Sequence, residues 1–132
     1  MEKCLQMKMS VLVWEYPPIT VGGLGTYAAE ITRKFVLTGN DVTVFTMNDE
    51  AGTLPTREIW RGIEVHRPLH IDISDSLPDV IAEDIRKWGM GKGLRFFSKI
   101  LIYNYLSASK LVNELIRKEN IKYDVVVAHD WL

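Results

Sequence analysis

Residues 9–14 read Met-Ser-Val-Leu-Val-Trp, a short and almost wholly apolar run that stops ahead of Pro17 and Pro18. A strand wet on one side alternates polar and apolar residues. A run apolar on both sides suits a strand buried in a parallel sheet, with helices covering both faces. Parallel neighbours then require crossover connections, and the rest of the chain supplies helical patterns for them. Leu24, Ala28, Ile31 and Phe35 recur at helical spacing, and Gly39-Asn40 closes that pattern. Residues 41–46, Asp-Val-Thr-Val-Phe-Thr, are β-branched and predict a second strand. Residues 47–60 are polar and contain Gly52 and Pro55, which predicts a loop or a poorly formed edge. Residues 63–67 alternate ahead of Pro68 and predict a third strand.

Leu77, Val80, Ile81, Ile85 and Trp88 outline a short helix, interrupted by Gly89, Gly91 and Gly93. A longer stripe follows through Leu94, Phe97, Leu101, Tyr105, Ala108, Val112, Leu115 and Ile116, ending near Asn120. At ~1.5 Å per residue that helix would run roughly 40 Å, long enough to anticipate a kink or break. Residues 124–128 form a last buried strand, followed by His129, Asp130, Trp131 and Leu132. The order β-loop-α-β-β-α-α-β specifies an α/β, doubly wound, mainly parallel sheet. No helix follows the last strand, so the sheet reads as truncated. Its uncovered face and free strand predict self-association as a homo-oligomer.

Several function classes are excluded by composition. The 132 residues fit one domain, and 47% hydrophobic content is enough for a packed core. A net charge of -1 gives no electrostatic reason to expect nucleic acid or an anionic membrane as partner. No apolar run approaches the ~18 residues of a membrane span. The single Cys4 cannot form an internal disulfide and points to a reducing, cytoplasmic setting. Residues 1–6 read as an extension and residues 7–132 as the domain.

The strongest chemical signal is Gly22-Gly23-Leu24-Gly25, at the end of a flexible loop and the start of a helix. Phosphate groups are bound by approachable backbone amides at the positive end of a helix dipole, and glycines clear that approach. Equally, the glycines could do no more than permit a tight turn into the helix. A dinucleotide fingerprint is excluded, because seven residues with two prolines separate Trp14 from Gly22 and no acid ends the second strand. A G-x-x-x-x-G-K-[ST] phosphate loop is absent as well. His66 and His70 lack a second ligand at metal spacing, so no metal is expected. Phe96, Phe97, Tyr103 and Tyr105 read as core or helix-packing residues, and Lys87, Lys92, Arg95 and Lys99 as a solvated basic face.

Residues 13–18 (Val-Trp-Glu-Tyr-Pro-Pro), Gly22-Gly-Leu-Gly25, residues 39–46 and Ala128-His-Asp-Trp131 follow one another in an order that resembles the retaining glycosyltransferases of the glycogen and starch synthase group. The similarity covers residues 7–132. It implies the N-terminal half of a GT-B fold, built from Rossmann-like halves. It implies transfer of glucose from a nucleoside-diphosphate sugar, ADP- or UDP-glucose, to an α-glucan with retention, and no cofactor beyond that donor. By the resemblance, Gly22, Gly23, Leu24 and Gly25 form the donor loop and Asp130 is a catalytic-cleft aspartate. His129, Trp131 and Glu15 fall at cleft positions, and for His129, Asp130 and Glu15 capping of a strand end is the plainer alternative.

Bacterial-type synthases carry a lysine just before the glycine pair, where this chain has Thr20-Val21. That weakens an ADP-glucose assignment. The group's cationic phosphate clamp belongs to a C-terminal half not present here, so the chain alone is expected to be inactive. The implied partners are the nucleotide sugar, a polysaccharide acceptor and that missing half. Two rivals stay open: transfer of another sugar to a lipid, sucrose-type or surface-polysaccharide acceptor, and a non-catalytic glucan-binding or assembly module.

Overall fold

A computed structural model of the chain describes residues 5–69 and 92–129. The short helical pattern over residues 77–88, and His70, Asp130 and Trp131, lie outside them. Five strands are described: β1 (Lys8–Leu12), β2 (Asp41–Phe45), β3 (Arg57–Trp60), β4 (Ile63–His66) and β5 (Val125–Ala128). Helix α1 (Gly23–Leu37) joins β1 to β2. Helix α2 (Lys92–Ser109) leads into a wider π-helical segment, Lys110–Lys118, before β5. The strands form one sheet in the order β3-β4-β2-β1-β5. All pairings are parallel except that of β3 with β4. The α/β, Rossmann-like doubly wound sheet expected from the sequence is therefore present, with one antiparallel margin.

Residues 47–60 hold more order than the sequence implied. Arg57–Trp60 pairs along its whole length with Ile63–His66, joined by the two-residue turn Arg61-Gly62. Both turn residues have positive φ, 50° and 79°. That is the twist a two-residue hairpin needs, and only glycine adopts it freely. The signal was masked because the first turn residue is arginine rather than asparagine or aspartate.

Alternation along the central strands splits the core in two. Val11, Val13, Val42, Val44, Ile63 and Val65 face α1, with Ala28 fully buried against them. Leu12 and Phe45 face the opposite way and meet Leu111 and Leu115. Helix α1 ends as its sequence foretold. Gly39 sits at φ 90°, its N–H reaches Val36 O at 2.9 Å, and the Asn40 N–H reaches Phe35 O at 3.0 Å. These two bonds satisfy carbonyls that the helix leaves open.

The long helical stripe is corrected. Ile100, Tyr103, Ser107, Leu111 and Leu115 face the sheet, whereas Phe97, Leu101, Tyr105, Val112 and Ile116 are exposed. This helix carries two apolar flanks, and the Tyr103 hydroxyl selects between them. It donates to Phe45 O at 2.8 Å and lies 3.2 Å from Val13 O, at the tips of two central strands. The helix passes without interruption from α to π winding after Ser109. Of the four aromatics read as core, Tyr103 is buried, Phe96 is half-exposed and packs edge-on against Trp14, and Phe97 and Tyr105 face out.

Candidate functional site

Across the parallel strands the order is β4-β2-β1-β5, so the direction of the connections reverses between β1 and β5. Ligands of open α/β sheets settle beyond the carboxyl ends of the strands at such a point, where departing loops diverge and leave a crevice. Residues 13–25 leave β1 here, and His129 leaves β5. The His129 N–H donates to Leu12 O at 3.0 Å, carrying the β1–β5 ladder one residue past the strand. Its imidazole meets Tyr27 of α1 edge-on, with ring centroids 5.5 Å apart. The glycine loop and the end of β5 thus lie on the same edge of the sheet. Tyr27, half-exposed between them, was not singled out in the sequence. Its place one helical turn after Gly23 is the signal that would have found it.

Residues 16–22, which run into the loop read as flexible, are held at three points. Tyr16, buried, donates its hydroxyl to Thr32 Oγ1 at 2.8 Å, while Thr32 donates to Ala28 O. Burial pushes the Tyr16 phenol above its ordinary range. Arg67, 1% exposed, donates to Pro17 O at 2.9 Å and to Glu58 at 2.5 Å. Third, Glu15 Oε2 accepts the Val21 N–H at 3.1 Å and the Gly22 N–H at 2.8 Å. The Pro17–Pro18 peptide between these anchors is cis.

The four loop residues separate physically. A Cβ at Gly25 would come within 2.9 Å of Thr20 Cγ2 and 3.0 Å of Glu15 Cβ, so internal packing alone demands glycine there. At Gly23 a Cβ would meet nothing within 4 Å, and at Gly22 only the Glu15 carboxylate at 3.8 Å. Gly22 is extended, a conformation open to any residue. Leu24 packs against the α1-side core. Gly25 and Leu24 therefore serve the fold, the Gly22 amide is taken by Glu15, and open space stands beside Gly23 at the start of α1's first turn. No acidic residue lies in that turn.

His66 ends β4 on the same edge but takes part in a different arrangement. It is buried, stacks on Phe45 at 4.9 Å, and pairs through Nε2 with Glu64 Oε1 at 2.9 Å. Glu64 meets Arg57, which grips Glu119 through two nitrogens. Desolvation holds the His66 imidazole below its ordinary pKa. Among the described residues no three His, Cys, Asp or Glu side chains gather into a metal-binding group. A groove of about 480 Å³ opens between Arg67, Pro68 and the π-helical segment, on the β4 flank rather than at the switch point.

The fold is a doubly wound α/β domain with a glycine loop at the carboxyl edge of its sheet. The chain belongs to the starch synthase catalytic domain family, which matches it over residues 8–132. It is 24% identical over 127 residues to the glycogen synthase of Mycobacterium tuberculosis (strain H37Rv), covering 96% of this chain and 28% of that protein. It is 28% identical over 130 residues to an uncharacterized glycosyltransferase of Methanocaldococcus jannaschii, covering 96% of this chain and 25% of the other. The chain thus spans about a quarter of the length of the curated relatives it matches. None of the described helices is long and apolar enough to cross a membrane.

Proposed function

We propose that this chain is the acceptor-side portion of a retaining GT-B hexosyltransferase, which moves glucose from a nucleoside diphosphate to an α-glucan. The observation that carries the reading is the Tyr27–His129 contact, which ties the glycine helix to the end of β5 on one edge of the switch point. Asp130 is the next residue in the chain. The acceptor hydroxyl attacks the anomeric carbon as the bond to the diphosphate breaks on the same face, and the hydroxyl proton passes to the departing oxygen. Gly23 clears the approach to amides of the first turn of α1 that face developing negative charge. His129 and Asp130 flank the transferred sugar. Most of the donor, ADP- or UDP-glucose, and the cations that stabilise its diphosphate belong to polypeptide beyond this quarter of the relatives' length. The chain alone is then inactive. A cytoplasmic setting accords with its single cysteine.

Transfer to glycogen from ADP-, UDP- and GDP-glucose, measured with the full-length protein and with residues 1–132 alone, tests this. Transfer should require the full-length protein, and Asp130→Asn should lower it by roughly 10²- to 10³-fold, the cost of losing one preorganised polar group. Full activity in residues 1–132, or no effect of Asp130→Asn, would refute the assignment. Retardation of the chain in a glycogen gel without transfer from any donor would favour a binding module instead.

A further inference from the structure

Glu15 stands where an anionic ligand of the loop would be expected. Its carboxylate accepts the Val21 and Gly22 amides at 3.1 and 2.8 Å, immediately ahead of α1. Its stem packs beneath Gly25, whose missing Cβ would come within 3.0 Å of it. The side chain thus fills the inside of the bend and leaves the Gly23 side open. It also places a negative charge at the positive end of a helix whose first turn has no acid of its own.

From these contacts we infer that Glu15 is a positioning residue: a latch that sets the glycine loop by two amides and reserves them from the donor. The inference rests on the donor-binding role proposed above and adds a division of labour to it. Val21 and Gly22 amides serve Glu15, and the diphosphate is met from Gly23 onward. Two consequences diverge. The latch needs an acceptor oxygen, which glutamine also provides. The charge is not needed for the latch and opposes an approaching diphosphate, an effect that glutamine removes.

The test uses Glu15→Gln and Glu15→Ala in the full-length protein. Glu15→Ala should raise donor KM by roughly 10- to 100-fold, the span of one charge-assisted hydrogen bond, with a smaller fall in kcat. Glu15→Gln should keep kcat and show a donor KM equal to or below that of the unmodified protein. Amide hydrogen exchange at Val21 and Gly22 should accelerate in the alanine variant and return toward the original rate in the glutamine variant. If glutamine is as damaging as alanine, the carboxylate acts on the reacting groups and the latch is wrong. Kinetics unchanged in both variants overturn it too. Should no donor support transfer, the functional reading fails while the exchange pattern still decides the latch: acceleration in alanine alone upholds it, and equal rates in all three proteins overturn it.

Discussion

Replacing Gly23 and Gly25 by alanine, one at a time, separates a glycine kept for a ligand from one kept for packing. At Gly23 an added methyl group meets nothing within 4 Å, and the residue lies in the first turn of α1. Alanine narrows the unfolded ensemble there and should stabilise the chain by about 0.4–1 kcal/mol. For a chain of this length that raises Tm by about 1–5 °C. At Gly25 the same methyl group would sit 2.9 Å from Thr20 Cγ2 and 3.0 Å from Glu15 Cβ. Overpacking costs about 1–3 kcal/mol, and helix propensity returns about 1, leaving a net loss of up to about 2 kcal/mol. Scanning calorimetry of the isolated chain reads both values. Donor binding to the full-length protein, measured by titration calorimetry, reads the other half. Gly23→Ala should weaken it at least about tenfold by obstructing an amide that receives phosphate. A Gly23→Ala protein that is more stable and binds donor unchanged would show that the glycine is not kept for a ligand. One that is less stable would refute the packing argument.

Three further outcomes follow from other parts of the fold. Tyr103→Phe removes the hydroxyl shared by the tips of β1 and β2, and should cost about 1–3 kcal/mol in denaturant unfolding. His66 is held below its ordinary pKa by burial, with Lys110 and Arg57 pushing the same way and Glu64 opposing. Stability from a base with a depressed folded pKa is present above its unfolded value of about 6.5 and is lost as pH falls. Tm should therefore drop on acidification from pH 7 to 5, and His66→Gln should flatten that part of the profile. Phe97, Leu101, Tyr105 and Val126 are bare, at 51%, 45%, 69% and 54% exposure, and should drive self-association of the isolated chain. Sedimentation across micromolar concentrations should show oligomers that Leu101→Glu with Val126→Lys dissociates; a monomeric unmodified chain would refute this.

Residues whose pattern has one physical solution were legible in the sequence. Apolar strands at residues 9–14 and 41–46 had to be central, and the sheet places them side by side, whereas residues 124–128, expected as another buried strand, stand at its margin with Val126 54% exposed. Gly39-Asn40 ended α1 because a left-handed residue was needed there. The helix over residues 92–118 was found, but its inward face was not. Two apolar flanks compete, and a buried tyrosine hydroxyl decided between them through carbonyls set by tertiary structure. The β3–β4 hairpin was hidden for a similar reason, since Arg61 adopts positive φ only because strand pairing imposes it. The candidate site divides the same way. That Gly22–Gly25 precedes a helix could be read directly. That Glu15 turns back onto the loop could not, because it depends on a bend formed by residues 16–20.

Among the described strands β1 comes first in the chain yet lies inside the sheet, between β2 and a strand whose register pairs Met9 with Val125. Its second partner therefore leaves the ribosome more than a hundred residues later, and until then one row of its amides and carbonyls has no strand to bond. Closing so long a loop is slow, and a domain of this topology is exposed to mispairing throughout synthesis. The hairpin at the other margin pairs neighbouring residues and needs no such wait.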